Sequence, residues 1–223
     1  MIARKQTPGA ARELLLDDPV AAAPKLLGAT LTAVDDEGSV SVRLTEVEAY
    51  CGAADPGSHA YRGRTDRTAT MFAEAGAVYV YFTYGMHHCV NLVCGPVNVA
   101  GAVLLRAGEI IDGVGLARRR RPAARPDRDL ARGPARLCSA LGLTRLDDGT
   151  RLGPPGSRLS LTLAPELAAH ILSGPRTGVS GPGGDGEAFP WRFWLKGDPT
   201  VSPYRPAAKR HPSRKPSSKV GGG

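Results

Sequence analysis

Apolar and polar residues alternate in several short stretches of the chain, and this alternation predicts a protein built around β-hairpins. Residues 31–34 and 40–47 alternate on either side of a polar turn at 35–38, which is typical of a hairpin. Residues 78–82 and 89–93 are rich in β-branched and aromatic side chains and predict a second hairpin. Further strands are expected at three shorter apolar runs, residues 102–105, 159–163 and 191–195.

Two segments carry the signals of short helices. Residues 17–27 start with aspartates that can cap a helix and end before Gly28. Residues 133–141 have apolar residues at helical spacing, with Pro134 at a permitted early position. Because strands and helices do not alternate regularly along the chain, the predicted fold class is α+β with a largely antiparallel sheet.

The composition is that of one globular domain with polar ends. An apolar fraction of 42% and a charged fraction of 22% are ordinary for such a domain, which is expected to span residues 13–204. Residues 1–12 and 205–223 are basic and too polar to bury a core, so disorder is expected in both.

No apolar run in the chain reaches the roughly 20 residues that cross a bilayer. Residues 1–12 also lack the apolar stretch of a secretory signal. No membrane partner is therefore expected, and the predicted location is the cytoplasm, or the nucleoid in a bacterium.

The formal net charge of +8 is concentrated in two places. Six of these charges belong to residues 205–223, which include no acidic residue. A second group of arginines, predicted to lie in a loop, occupies positions 118–121, 125, 128 and 132. Such segments suit DNA or RNA, because Lys and Arg release counterions from a phosphate backbone. A solubilising tail and an arginine-rich loop are equally consistent with them.

The four cysteines are scattered along the sequence, at Cys51, Cys89, Cys94 and Cys138. Zinc sites use closely spaced pairs of cysteines or histidines, and these cysteines form no such pairs. We therefore expect reduced and mostly buried thiols, with no bound metal.

The first of three groups with candidate chemistry lies on the strand predicted at 45–50. Alternation places Glu46, Glu48 and Tyr50 on one face of this strand. Glutamates at alternate positions are typical of a solvated strand face. The loop that follows is rich in Gly, Pro and Asp and carries His59, which favours the rim of a catalytic site instead.

The second group is the aromatic hairpin. Every second residue from Val78 to Phe82 is expected to face the core, which turns Tyr79 and Tyr81 to the other side. Phenol rings on that side suit stacking against a nucleic-acid base. Tyr84 falls at the turn, where a large aromatic side chain should protrude and could enter a DNA stack as a wedge. The alternative is a Tyr84 folded back onto its own hairpin.

The third group contains Arg106, which ends the apolar strand predicted at 102–105 and has Glu109 nearby. A structural ion pair and a contact with a phosphate or an active site are equally consistent with this spacing. The residue types alone leave both open.

Taken together, these motifs resemble the alkyladenine (3-methyladenine) DNA glycosylase family of the bacterial type. The resemblance runs from about residue 14 to residue 204. Its strongest matches are at residues 45–50, 58–65, 71–72, 78–91 and 104–107, with weaker ones at 133–137, 174–179 and 191–194. One departure is Thr68, where the family commonly has Asn, and it bears on how the connecting loop is held.

The resemblance implies a single domain around a curved antiparallel sheet, flanked by helices, with a protruding aromatic β-hairpin that enters the minor groove of duplex DNA. It also implies the catalytic pair. Glu48 matches the carboxylate that activates the attacking water, and Arg106 matches an arginine close to that water and to the target phosphate.

The resemblance further implies the residues that hold the flipped base. Tyr50 matches the aromatic residue on one face of the base, and His59 and Tyr81 match the groups that close the other face. Asn91 matches an asparagine in the pocket wall that helps to exclude bases with an exocyclic amino group, such as guanine.

The resemblance also implies the contacts with the rest of the DNA. Tyr84 matches the tyrosine that intercalates where the nucleotide was extruded. Contacts with the DNA backbone are expected from four residues in the matching stretches, Arg62, Arg64, Met86 and Arg176.

The function implied is that of a monofunctional DNA glycosylase, acting as a monomer on damaged purines without metal or cofactor. Methylated purines, hypoxanthine and ethenoadenine all suit a flat aromatic slot. None of the three groups contains a lysine, so no Schiff base and no strand cleavage are expected. Two rival interpretations are a non-catalytic nucleic-acid-binding protein and a metal-dependent nuclease that uses Glu46, Glu48 and His59.

Overall fold

The structure is a computed structural model that describes residues 9–83, 85–165 and 170–207. Tyr84, the predicted wedge, and most of the basic segment after residue 205 lie outside the described residues. In the described ranges the four helices are α1 (Ala10–Leu15), α2 (Pro19–Lys25), α3 (Val114–Arg120) and α4 (Pro134–Ala140). No described helix is both long enough and apolar enough to cross a membrane.

The described residues form one sheet of eight strands. The strands are β1 (Thr30–Asp35), β2 (Gly38–Tyr50), β3 (Val78–Thr83), β4 (His87–Val93), β5 (Ala102–Asp112), β6 (Leu159–Thr162), β7 (Ile171–Gly174) and β8 (Arg192–Leu195). Their order is β3-β4-β5-β2-β1-β6, with β7 joined to β8 and β8 to β2. All the strand pairs are antiparallel, so the predicted α+β class is confirmed.

Strand β2 is the centre of this sheet. Its first part pairs with β1 and its second part with β8, while β5 pairs along most of its other edge. The pairing with β5 shifts register on both sides of Glu46. Such bulges re-aim side chains and are common beside functional sites.

Local signals in the sequence account for the elements that position the site. Asp18 caps α2 by accepting a hydrogen bond from the Val20 N–H at 2.8 Å, and Gly28 follows with a φ of 79°, which favours glycine. The hairpin between β1 and β2 closes with Asp35 opposite Gly38. These two predictions are confirmed.

The main core lies between the sheet and the helices. Four fully buried residues mark this core. They are Leu26, which directly follows α2, Leu137 of α4, and Val42 and Leu105 of the central strands. A smaller cluster forms around Tyr79, and it includes Ala60, Met71 and Ala102. This second cluster supports one wall of the cavity described below.

Several expectations from the sequence are wrong. Residues 10–12 were expected to be disordered, and they begin α1. Arg106 lies inside β5 and not at a strand end, because β5 continues to Asp112. Phe82 was expected in the core, yet 44% of its surface is exposed. The chain pairs β3 with β4 as predicted, and the protrusion of this hairpin stays a prediction.

The arginine-rich segment is also partly helical, where a loop was expected. Arg118–Arg120 form the last turn of α3, whose Leu116 and Ala117 are buried, and arginine is a good helix former. Arg120 donates to both carboxylate oxygens of Asp35 at 2.8 and 2.7 Å. Arg120 therefore links α3 to β1 through an ion pair.

The four cysteines are all free thiols, as predicted. Cys89, Cys94 and Cys138 are buried, and Cys51 is half-buried. Burial raises the pKa of the Cys51 thiol to about 12, with Asp18 and Asp55 contributing. These thiols are therefore protonated near neutral pH and poor nucleophiles.

Candidate active site

Glu48 lies near the end of β2 and is completely buried. One carboxylate oxygen accepts hydrogen bonds from the Tyr50 hydroxyl at 2.8 Å and from Arg106 Nη1 at 3.2 Å. The other accepts from the main-chain N–H of Thr177 at 2.7 Å. Three donors from three different residues therefore fix the position of this carboxylate.

The second glutamate of β2, Glu46, is equally buried and accepts four hydrogen bonds from three residues. Its Oε1 accepts from Arg192 Nε at 2.6 Å, from Arg106 Nε at 3.0 Å and from the Ser202 hydroxyl at 3.0 Å. Its Oε2 accepts from the Ser202 N–H at 2.7 Å. The interpretation of this strand face as solvated is therefore wrong.

The charges of this buried group are balanced. Burial acts to raise the pKa of Glu46, but Arg106, Arg192 and the bonds from Ser202 outweigh it and hold that pKa below its usual value. Burial acts to lower the pKa of Arg106, but Glu48 and Glu46 outweigh it and raise that pKa above its usual value. The ionised forms of Glu46 and Arg106 therefore persist at neutral pH.

A cavity of about 520 Å³ lies in front of this charged group. Five residues predicted to form the site contribute to its wall, namely Tyr50, His59, Tyr81, Asn91 and Arg106. Glu48 lies directly behind the wall, since its three hydrogen-bond partners, Tyr50, Arg106 and Thr177, all line the cavity. The structure thus brings the predicted catalytic and base-binding residues together.

Three of the rings that line the cavity, His59, Tyr79 and Tyr81, contact one another. His59 meets Tyr81 edge-on, with ring centroids 4.6 Å apart, and Tyr81 stacks with Tyr79 at 5.6 Å. Burial raises the pKa of Tyr81, so its hydroxyl stays protonated. Loss of solvent and the nearby charge of Arg67 lower the pKa of His59, so its imidazole is neutral at neutral pH.

Asn91 is fixed by the pairing of β3 with β4. It lies opposite Tyr79 in the register, and its side-chain Nδ2 donates to the main-chain carbonyl of Tyr79 at 3.1 Å. The side chain is buried in the cavity wall. Its orientation is therefore set by the strand pairing.

The residues predicted to contact the DNA backbone fall into two groups. Arg62, Arg64 and Met86 are exposed, with 69% of Met86 accessible, and they do not line the cavity. Arg64 lies over the ring of Phe72, 5.7 Å from its centroid. Their contact with DNA stays a prediction.

Arg176 does not fit its predicted role. Its guanidinium is fully buried and donates to both oxygens of Asp55 at 2.6 and 2.7 Å. It also donates to the carbonyls of Ala49 and Gly183, and it lies 4.5 Å from the centroid of the Tyr50 ring. Because the guanidinium is fully buried and both Nη1 and Nη2 donate inside the protein, the predicted backbone contact is wrong, and Arg176 supports the Tyr50 ring instead.

Thr68, which stands where the family commonly has Asn, makes hydrogen bonds within the connecting loop. The Thr68 hydroxyl is buried and accepts from the Thr65 N–H at 2.9 Å. It also lies 3.0 Å from the Thr65 hydroxyl. The loop that follows His59 is therefore tied down by threonine side chains.

The sequence did not single out several residues of this site. Thr177 and Ser202 gave no signal of their own, although Thr177 lies in one of the weaker matches at 174–179. Arg192 lies in another, at 191–194. Arg205 was expected to begin the disordered basic segment, and it lines the cavity. The described residues contain no group of three or more His, Cys, Asp or Glu that could hold a metal ion.

Comparison with known proteins agrees with this geometry. A family model described as methylpurine-DNA glycosylase (MPG) matches residues 13–199. A protein of Streptomyces avermitilis is 55% identical over 207 residues, 92% of this chain and 96% of its own length. A protein of Leifsonia xyli subsp. xyli is 54% identical over 208 residues, 91% and 93% of the two chains.

A third relative, from Mycobacterium leprae, is 44% identical over 196 residues, 86% of this chain and 87% of its own length. Each of the three carries the name "putative 3-methyladenine DNA glycosylase". The chain belongs to the methylpurine-DNA glycosylase family, so the resemblance seen in its motifs is confirmed.

Proposed function

We propose that this DNA glycosylase removes alkylated or deaminated purines from duplex DNA by hydrolysis, with Glu48 activating the attacking water. The observation that carries the proposal is the position of Glu48. Its carboxylate lies directly behind an aromatic cavity, and the three residues that donate hydrogen bonds to it all line that cavity. The volume of about 520 Å³ is within the range of small-molecule sites, about 300–1,000 Å³.

The cavity wall suits a base that has left the duplex. An enzyme that acts on a base must extrude it from the stack, which costs a few kcal/mol. Stacking on Tyr50, His59 and Tyr81 would offset this cost, since each stacked base gains roughly 1–3 kcal/mol. A purine alkylated at N3 or N7 is cationic in DNA, and an aromatic slot with a neutral His59 favours it over a neutral base.

The chemistry follows from what the carboxylate can do. The C1′–N bond breaks with its electron pair leaving on the purine, and the sugar gains positive charge as in other glycoside hydrolyses. Glu48 stabilises that charge and takes a proton from the water whose oxygen bonds to C1′. Arg106 holds Glu48 and faces the cavity, where it can also contact the target phosphate.

The absence of an amine favours a monofunctional enzyme. Among the described residues that line the cavity, none is a lysine. A Schiff base with C1′ requires an amine nucleophile. We therefore propose that the product is an intact strand with an abasic site.

The proposal includes the way in which DNA is held. Duplex DNA would bind through its minor groove to a monomer, with Tyr84 entering the stack and Arg62, Arg64 and Met86 near the backbone. The exposure of these three described residues supports this arrangement. The expected location of such an enzyme is the cytoplasm, at the nucleoid of a bacterium.

The test is a Glu48→Gln variant, assayed for release of hypoxanthine and 3-methyladenine from duplex DNA under single-turnover conditions. We expect a loss of about 100-fold or more, because general-base catalysis contributes roughly 10²–10⁴-fold. Glu109→Gln is the matched control, since Glu109 is an exposed glutamate on the neighbouring strand β5. Both variants should keep wild-type affinity for duplex DNA.

The outcomes separate this proposal from its rivals. A folded Glu48→Gln variant with near-wild-type excision would contradict the role of Glu48. A wild-type protein that binds DNA but releases no base from any damaged duplex would be a binding protein only. Loss of activity in a chelator would point to a metal-dependent nuclease.

A further inference from the structure

The buried carboxylate of Glu46 takes no part in the chemistry proposed above, although it is completely buried beside the catalytic residues. It accepts four hydrogen bonds from three residues, Arg106, Arg192 and Ser202. Placing a charge in the protein interior is costly unless it is paired and fully hydrogen-bonded. The burial of the Glu46 charge therefore needs a structural or functional explanation.

Arg106 joins the two glutamates of β2. Its Nε donates to Glu46 at 3.0 Å, and its Nη1 donates to Glu48 at 3.2 Å. A free guanidinium prefers to bind one carboxylate through two parallel bonds. In this structure Glu46 holds the Nε end of the guanidinium, and Glu48 accepts a single bond from Arg106.

We propose that Glu46 is a positioning residue for base excision, which, together with Ser202, fixes Arg106 so that Glu48 remains free to bind and deprotonate water. This inference rests on the proposed function of Glu48. Glu46 itself does not line the cavity and acts only through Arg106.

The C-terminal segment completes the arrangement. We call residues 198–205 the C-terminal strap. Ser202 gives both its N–H and its hydroxyl to Glu46, and its carbonyl accepts from Arg192 Nη2 at 2.8 Å. Three residues later the Arg205 carbonyl accepts from the Gly178 N–H at 2.9 Å, next to Thr177, which binds Glu48.

The strap therefore reaches the catalytic glutamate from two sides, through Arg106 and through the loop that contains Thr177. Ser202 of the strap lies 156 residues from Glu46 in the sequence. A segment remote in sequence therefore contributes to the geometry of Glu48. Small displacements at such a site can cost about 100-fold in rate.

The experiment compares Glu46→Gln with Glu46→Asp in single-turnover excision of hypoxanthine from duplex DNA across a range of pH. Glutamine removes the charge and places an NH₂ group against donors that now face carboxylate oxygens. Arg106 is then no longer shared between two carboxylates, and its charge acts on Glu48 alone. We expect the rate to fall about 10- to 100-fold and the acidic limb of the pH profile to move to lower pH.

Aspartate keeps the charge, so Glu46→Asp should leave the acidic limb at its wild-type position while lowering the rate less than glutamine does. The matched control is Thr32→Val. Thr32 lies on β1, its hydroxyl is 2.8 Å from the Ser41 hydroxyl of β2, and it neither belongs to the strap nor lines the cavity. Loss of this contact should lower the melting temperature but leave the rate and the pH profile unchanged.

If Glu46→Gln does not fold, Ser202→Ala carries the test. It removes one of the four bonds to Glu46, and the expected loss in rate is about three- to tenfold, the equivalent of one hydrogen bond. The inference is overturned by a folded Glu46→Gln enzyme with a wild-type rate and pH profile. It is also overturned if Thr32→Val loses as much rate as the Glu46 or Ser202 variant, because a general structural effect would then suffice. Failure of the proposed function would instead appear as an active Glu48→Gln enzyme.

Discussion

Arg176 and Asp55 form a completely buried ion pair in which both carboxylate oxygens accept from the guanidinium, at 2.6 and 2.7 Å. Because Arg176 also lies over the Tyr50 ring, the pair ties the loop after β2 to a ring that lines the cavity. Its loss should therefore affect stability and pocket shape together.

We expect Arg176→Met to reduce the free energy of unfolding by about 3–5 kcal/mol, because it leaves the Asp55 carboxylate buried without a charged partner, with only the N–H groups of Cys51 and Gly57 bound to it. Denaturant unfolding followed by circular dichroism measures the loss. Arg64→Met is the control, since Arg64 is exposed and its replacement should change stability by less than about 0.5 kcal/mol. An Arg176→Met protein as stable as the control would show that the pair is not structural.

The side chain of Asn91 is held in the cavity wall by its hydrogen bond to the Tyr79 carbonyl. We predict that Asn91→Ala lets guanine, with its exocyclic 2-amino group, enter the cavity, and that excision of guanine relative to hypoxanthine rises by about tenfold or more. Single-turnover rates on duplexes that contain either base measure this ratio. The hypoxanthine rate of the same variant is the internal control, and an unchanged ratio would contradict the assigned role.

His59 gives a prediction about pH. Its pKa is lowered by loss of solvent and by Arg67, so the folded protein favours the neutral ring. As pH falls below the ordinary histidine value of about 6.5, the unfolded chain takes up the proton first, and the contribution of His59 to stability decreases. Below the lowered pKa of the folded protein, a charged ring would face the base.

We therefore expect excision of a cationic base such as 3-methyladenine to fall more steeply on acidification than excision of neutral hypoxanthine. His59→Gln should remove this difference, and His170→Gln, at an exposed histidine, should keep it. The measurement is the ratio of the two single-turnover rates between about pH 5 and 8. Identical ratios in the wild type at all pH values would exclude a role for His59 charge.

The central hairpin and the capped helix could be predicted because their signals are local. Asp18, Gly28 and the turn at 35–38 act on their immediate neighbours. The helix α3 was missed because its apolar anchor, Leu116 and Ala117, is too short to show periodicity beside a run of arginines.

The site was predictable only as far as the family motifs extended. Alternation correctly grouped Glu46 with Glu48, but it does not show whether a strand face is buried. The partners that bury Glu46 lie 146 and 156 residues away, and Asp55 lies 121 residues from Arg176. Contacts at such separations depend on the completed sheet, so neither the Glu46 cluster nor the burial of Arg176 could be foreseen.

The basic residues after the strap give the last prediction. Arg205 lines the cavity, so the segment that follows it starts at the wall of the candidate site. Five Lys and Arg residues occur in residues 208–223, at Lys209, Arg210, Arg214, Lys215 and Lys219, with no acidic residue among them. If they bind DNA phosphates, removal of residues 208–223 should weaken DNA binding and flatten its salt dependence. Each lost phosphate contact should reduce the slope of log K against log salt by about 0.9.

The single-turnover rate at saturating enzyme should stay the same, because the strap, which ends at Arg205, remains in the truncated chain. The control is a chain of full length in which the five basic residues are replaced by glutamine, and it should behave like the truncated chain. Fluorescence polarisation with a duplex that carries one abasic-site analogue, measured at several salt concentrations, gives the slopes. A truncated chain with the wild-type slope would show that the segment makes no phosphate contacts and that the protein grips DNA through its folded domain alone.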